Sequence, residues 1–513
     1  MDSAHIGVDS HLATESVNGA SPIAFLHDRD GLVTQAGEML LSRNLATGLL
    51  AGSTLGGVVE TREHNLFGET SRVAYTVFGT PLLETLYVRD ALGRIVAKTE
   101  TLDGVATLTE YGYDRAGRIE TVTIDGTPAV TYSWDSNGNR LARDTAAGTE
   151  LAAYDAQDRL LSHGDATFTW TANGELATKT DAAGTTAFLY DALGNLRRAN
   201  LPDGRVVEYV IDARNRRVGK RIDGVLVQGF LYRDQLEPVA ELDGAGNVVS
   251  RFVYGGKGHV PDYMVKAGVT YRIVSDDLGS PRIVINTATG AIAQRMDFDE
   301  WGNVTLDTAP GFQPFGFAGG LLDLDTGLTR FGARDYSPEI GRWTAKDPIR
   351  FYSEVTNFYA YVEDPINQID INGLKGFGTC YRECSEKVTG IDPFSLENLL
   401  LPASGGNPLG PGWEGIGAAL WGGGQATEAK RFVTPGSSPG TSVWSQAGRA
   451  LGVRLPFKVW APTNVRPLAT TNKLGAALGR WAPIAGLGFL GLDAWNFLDC
   501  LADCGVDGCG DEE

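Results

Sequence analysis

The 513 residues are too many for one compact core and imply two to four structural units. With 42% hydrophobic and 21% charged residues the chain is globular, neither disordered nor membrane-embedded as a whole. A formal charge of -19 argues against nucleic acid as the partner of the whole chain, because phosphate binding requires a basic face.

Glycine, at 66 residues, points to many turns and few long helices. Residues 1–30 contain no basic stretch followed by a long apolar run, so no secretion signal is visible. Export therefore requires another machine or a preceding segment. Residues 1–60 read as weak or partial copies of the pattern that follows. From about residue 85 a short unit recurs: an aromatic or aliphatic residue, Asp, two variable residues, Gly or Asn, Asn or Arg, then an aliphatic residue. Tyr113-Asp114-Arg115-Ala116-Gly117-Arg118-Ile119 and Tyr190-Asp191-Ala192-Leu193-Gly194-Asn195-Leu196 are two of the copies. Asp90, Asp114, Asp135, Asp155, Asp191 and Asp212 mark steps of 24, 21, 20, 36 and 21 residues. The long step contains a degenerate copy at Trp170-Thr171-Ala172-Asn173-Gly174. A sustained period near 20 means a stacked array.

Each unit has a mechanical reading. Asp followed by Gly or Asn closes a tight hairpin, because Gly and Asn accept positive φ. The flanks, such as Val206-Val207-Glu208-Tyr209-Val210-Ile211, are β-branched and aromatic, as strands are. One hairpin cannot bury its apolar face alone, so neighbours must pair into a long sheet. An ordinary β-sandwich is the alternative, and the regular period argues against it.

Residues 271–374 are denser in motifs. Phe315-Gly316-Phe317-Ala318-Gly319 is followed by Thr329-Arg330-Phe331-Gly332-Ala333-Arg334-Asp335-Tyr336. Gly341-Arg342-Trp343-Thr344-Ala345-Lys346-Asp347-Pro348 comes next, and Asp370-Ile371-Asn372-Gly373-Leu374 closes the segment. Together with the Tyr-Asp units, these runs resemble the Rhs family of YD-repeat proteins, with its repeat-associated core. The same repeats occur in the C components of insecticidal toxin complexes and in teneurins. Asp364 departs from the family, which usually has Asn before that Pro. The resemblance implies a mainly β fold, a hairpin sheet spiralling into a shell that sequesters another polypeptide. It also implies a self-cleaving aspartyl protease whose residues map onto Arg334, Asp347 and Asp370, with the cut between Leu374 and Lys375. Paired carboxyl groups divide the proton-donor and proton-acceptor roles, and an arginine fork can anchor one of them. Asp347-Pro348 and Asp370 also suit ordinary turns, and Asp335 is a lower-ranked alternative carboxylate.

Composition changes after residue 374. Pro/Gly/Ser-rich stretches at 402–413 and 433–441 read as linkers. The segment 375–513 has 13 acids against 11 bases and no histidine, the last being His259. That absence weakens histidine-dependent nuclease and metal-hydrolase readings, and no phosphate-binding loop or nucleophile elbow is present. Cys380/Cys384 and Cys500/Cys504 have i,i+4 spacing, which places each pair on one helical face. Two such helices packed antiparallel would form two disulfides and leave Cys509 odd; a thiolate zinc site is the rival. The apolar run Trp481–Leu492 is too short to span a bilayer alone and suits either a buried helix or an interfacial one.

The expected organisation is therefore a 1–60 N-terminal segment, a 61–270 repeat shell, a 271–374 core and a small, partly helical 375–513 module. The expected function is that of the C-terminal part of a bacterial toxin-delivery protein, secreted or cell-surface. Its shell would enclose the module as cargo and release it by self-cleavage. No cofactor or metal is assigned. The partners that go with this reading are an N-terminal shell partner or delivery machinery, an immunity protein and a target membrane. An uncleaved surface adhesion protein and an inactive cassette are the alternatives.

Overall fold

The computed structural model describes residues 2–6, 12–348 and 356–374, with two further strands at Arg454–Trp460 and Thr470–Lys473. The chain divides into two units, Met1–Gly376 and Phe377–Glu513. Within the second unit, the two described strands pair antiparallel. Its expected helices, with Cys380, Cys384, Cys500 and Cys504, lie outside the described residues, as does Lys375 at the end of the first unit.

The first unit is a mainly β, YD-repeat hairpin sheet. Thirty strands, numbered in chain order from β1 (Asp2–Ile6) to β30 (Val304–Asp307), form one antiparallel sheet. Each strand pairs with its neighbours in sequence, so the sheet is a continuous meander that includes residues 12–60.

The Asp of each unit organises its turn. Asp114 Oδ1 accepts from the Ala116 and Arg118 amides, both at 2.9 Å, and Oδ2 accepts from Arg118 Nε at 2.7 Å. The same three bonds recur around Asp90, Asp155 and Asp212. The fourth residue of the turn sits at positive φ, as in Gly117 (φ +83°) and Asn215 (φ +61°). A bulge at the aromatic, with Tyr113 opposite Ile119 and Trp134 opposite Arg140, tightens the local twist.

The aromatic then joins one unit to the last. Tyr113 Oη donates to the Ile95 carbonyl, Trp134 Nε1 to Ile119, Tyr154 Oη to Arg140 and Tyr232 Oη to Arg217. In each case the acceptor lies five residues after the Asp of the preceding unit. The arginine that closes a turn also lies against the next aromatic, Arg94 at 4.5 Å from the Tyr113 ring and Arg216 at 5.1 Å from that of Tyr232. A YD unit is thus a turn and a link at once, which is why the array needs both residues.

The sheet rolls onto its own inner face. Strands β24 to β28 (Pro238–Asp243, Val248–Val253, Tyr263–Lys266, Val269–Ser275 and Pro281–Asn286) lie against strands from residues 12–89. Val239 and Ala240 meet Val17. Val253 and Tyr263 meet Phe25, Met39 and Leu55, and Val274, Ile283 and Ile285 meet Val58, Tyr75 and Leu83. A buried ion pair, Arg272 Nη2 to Glu60 at 2.7 Å, and a part-buried, forked Arg282–Glu100 pair at 2.8 Å join the layers. The opposite face of the inner strands packs Phe252, Met264 and Ile273 on Phe315 and Leu321.

After Asp307 the architecture changes. A four-stranded sheet, β31 (Leu321–Leu322), β32 (Thr329–Phe331), β33 (Arg334–Ser337) and β34 (Arg342–Trp343), carries the rest of the core. It docks on the repeat turns. Arg342 donates to Asn139 Oδ1 and the Asp158 carbonyl, Arg330 to Asn195 Oδ1 and the Asn215 carbonyl, and Tyr359 Oη to the Gly174 carbonyl. Asn139 and Asn195 stand where other repeats place the turn-closing arginine. The Asn frees a side-chain oxygen for an incoming guanidinium, which another arginine would repel.

Candidate active site

Arg334 opens β33 and alternation sends its side chain opposite to that of Asp335. Asp335 pairs with Arg217 at 2.6 Å and Arg330 at 3.0 Å, and so belongs to the docking interface with the repeats. Arg334 enters a buried aromatic cluster of Phe317, Phe331, Tyr336, Trp343 and Tyr361. Its guanidinium stacks 4.2 Å from the Trp343 ring.

Inside that cluster Arg334 gathers three parts of the chain. Nη2 lies 2.9 Å from Asp347 Oδ2 and 3.1 Å from Asp370 Oδ2, with all three side chains almost fully buried. Nη1 donates to the Phe358 carbonyl at 3.2 Å and Nε to the Gly373 carbonyl at 2.5 Å. Burial pulls the guanidinium pKa down from its ordinary value, and Asp347 and Asp370 act against that pull. One cation thus holds two acids side by side in a medium of low dielectric.

The end of the described core is held at the same place. Asp370 Oδ1 accepts the Leu374 amide at 2.9 Å, Asn372 Oδ1 accepts it at 3.0 Å, and the Ala333 amide donates to the Asn372 carbonyl at 2.9 Å. The Asp347 amide donates to the Phe358 carbonyl at 3.1 Å. Arg334, Asp347, Asp370 and Leu374, separated by up to forty positions in the chain, are therefore brought together. Sequence reasoning assigned no role to Trp343, Phe358, Tyr361, Asn372 or the glycines at 332 and 373. Trp343, Asn372 and both glycines lie within the motif runs given above, and Phe358 and Tyr361 within a further run of the same segment, Asn357-Phe358-Tyr359-Ala360-Tyr361, so membership of those runs was the available signal.

Fold and site define a repeat-shell protein: a hairpin sheet linked by Tyr-Asp turns and rolled around an arginine-rich core. The chain matches the Teneurin YD-shell family over residues 14–369 and belongs to it; it is an Rhs/YD-repeat shell protein. Teneurin-4 of Mus musculus is 29% identical over 302 residues, covering 57% of this chain and 11% of that protein. WapA of Bacillus spizizenii, described as a tRNA3(Ser)-specific nuclease, is 26% identical over 357 residues, covering 64% of this chain and 13% of its own length. The chain thus spans a small fraction of the curated relatives it matches. Among solved structures, TcdB2-TccC3-TEV aligns over 72% of this chain and 23% of its own, at 15% identity and a TM-score of 0.42.

Proposed function

We propose that this chain is the C-terminal part of a bacterial Rhs toxin protein that cuts itself between Leu374 and Lys375 to release residues 375–513. In this reading residues 61–270 are repeat wall, 271–374 the processing core and 375–513 the effector, with 1–60 leading into the wall. The observation that carries it is the bond from the Leu374 amide to Asp370, itself held with Asp347 on Arg334. That bond supports the reading because Leu374 is the residue whose carbonyl would be attacked.

The reaction is a hydrolysis. A water oxygen adds to the Leu374 carbonyl carbon while one carboxylate takes its proton. The bond from that carbon to the Lys375 nitrogen then breaks, and the nitrogen receives a proton from the other carboxyl group. The products are a Leu374 carboxylate and a Lys375 amine. Arg334 keeps the two acids and the Gly373 carbonyl in register, so positioning comes from the fold.

Enclosure of the effector as cargo is the second part of the proposal. Strands β24 to β28 and the core cover much of the inner face of the sheet, so a 139-residue cargo calls for further wall. A shell partner or delivery machinery would supply it, and an immunity protein and a target membrane complete the expected partners. Export to the cell surface or the medium goes with this role.

Intact mass under denaturing conditions tests the cleavage. The wild type is expected to give two species, with the smaller beginning at Lys375, and Asp347→Asn a single 54.8 kDa species. A single intact species from correctly folded wild type refutes processing and favours an uncleaved surface repeat protein.

A further inference from the structure

Two glycines face each other across the segment that ends at Leu374, and both are closed to any side chain. At Gly332 (φ +40°) an added Cβ would stand 2.9 Å from the carbonyl carbon and Cα of Asn372, and closer still to its oxygen. At Gly373 (φ +69°) an added Cβ would stand 2.7 Å from the Phe331 carbonyl oxygen and 2.9 Å from the Arg334 nitrogen. Each glycine is thus pressed against the backbone of the other's strand. Backbone cannot give way as the end of a flexible side chain can, so these approaches require hydrogen at both Cα positions. The bond from the Ala333 amide to the Asn372 carbonyl lies between them.

The opposed glycines do something the hydrogen bonds alone do not. Hydrogen bonds tolerate a slip of the segment toward other acceptors, whereas an interlocked backbone admits one register. A slip of one residue would put Asn372 or Leu374, each with a Cβ, where only Gly373 fits.

We infer that Gly332 and Gly373 form a backbone clamp that determines which peptide bond is presented to Asp347 and Asp370. This rests on the self-cleavage proposed above and adds a positioning residue, Gly332, on the enzyme side of the site. The clamp accounts for selectivity at one bond: the carboxyl pair acts on whatever lies beside it, and the glycines allow one alignment.

The test uses the full chain and three variants. Gly332→Ala adds the Cβ. Gly332→Asn adds it with a residue that accepts positive φ, so a loss there reports the contact and not backbone strain. Gly327→Ala is the control, since Gly327 also has positive φ (+70°) but open space around it. Both Gly332 variants are expected to cut about 100-fold more slowly, as a misplacement near 1 Å does, or to yield fragments with shifted termini. Gly327→Ala is expected to cut at the wild-type rate and position. Wild-type rate and terminus in Gly332→Asn overturn the clamp while leaving the cleavage reading intact; absence of cleavage in the wild type overturns both. A second measurement is independent of cleavage. In an uncut Asp347→Asn background, Gly332→Asn is expected to speed hydrogen exchange at the Ala333 and Leu374 amides while amides of the 111–132 hairpins stay protected. Unchanged exchange at Ala333 and Leu374 also overturns the clamp.

Discussion

Glu60 joins the two layers of the rolled sheet, and its replacement by glutamine is a direct measure of that joint. Its carboxylate accepts from Ser53 Oγ at 2.6 Å and Arg272 Nη2 at 2.7 Å, and pairs with Arg62. Glu60→Gln keeps the volume but turns one acceptor into an NH2 group facing guanidinium donors. Removing one partner of a buried ion pair costs about 3–5 kcal/mol, because the remaining charge is left unbalanced. A second route gives a similar figure. Burial pushes the Glu60 pKa up, but Arg62 and Arg272, then Ser53, outweigh it and hold the group at about 2, against an ordinary 4.5. At about 1.4 kcal/mol for each pKa unit that difference amounts to about 3 kcal/mol. Because folding lowers this pKa, the stabilisation is complete above pH 4.5 and is lost as pH falls through about 2. Urea midpoints of wild type and variant, followed by tryptophan fluorescence at pH 7 and pH 3, read both quantities. The expected gap is about 3 kcal/mol at pH 7 and narrower at pH 3. A gap below about 1 kcal/mol at pH 7, the size expected of an exposed pair, or one that does not narrow in acid, refutes the account.

Three further outcomes are expected. Tyr113→Phe removes the bond donated to the Ile95 carbonyl and the one accepted from Asn367 Nδ2 and should cost about 1–2 kcal/mol in the same urea assay; no measurable loss would mean the repeats are linked by ring packing alone. Arg342→Lys abolishes a fork that reaches Asn139, Asp158 and Asn357; it should cost about 2–3 kcal/mol and expose residues 356–362 to proteolysis, and unchanged proteolysis would disprove that docking role. Burial draws the His259 imidazole down to about 4, against the pull of the Leu278 carbonyl. Its NMR signal should therefore stay that of a neutral ring at pH 5.5, and stability should fall as pH drops from 6.5 toward 4, since the unfolded chain takes the proton first. Titration of His259 near pH 6.5 would contradict its burial.

Much of the fold was legible because its information is local. Asp114 shapes a turn with amides two and four residues away, and Tyr113 reaches a carbonyl in the adjacent hairpin, so a period near 20 residues is a direct image of the contacts. The rolling of the sheet was not legible. Val274 against Tyr75 and Arg272 against Glu60 join positions about two hundred residues apart, and nothing in either local pattern names the other. The helices and cysteine pairs expected after residue 374 lie outside the described residues.

For the site, the sequence by itself supplied the residue types and the motif runs holding Arg334, Asp347, Asp370 and Leu374, together with the resemblance that tied them to one chemistry. Only the tertiary structure decided that Arg334 and Asp335, neighbours in the chain, serve different ends. Strand alternation turns Arg334 into the aromatic cluster with both aspartates and Asp335 toward Arg217 and Arg330. Only the structure, likewise, set Gly332 against Asn372 and Gly373 against Phe331. A glycine in a sequence records freedom of the backbone; whether that freedom is used for a turn or for close approach depends on what the rest of the chain brings alongside it.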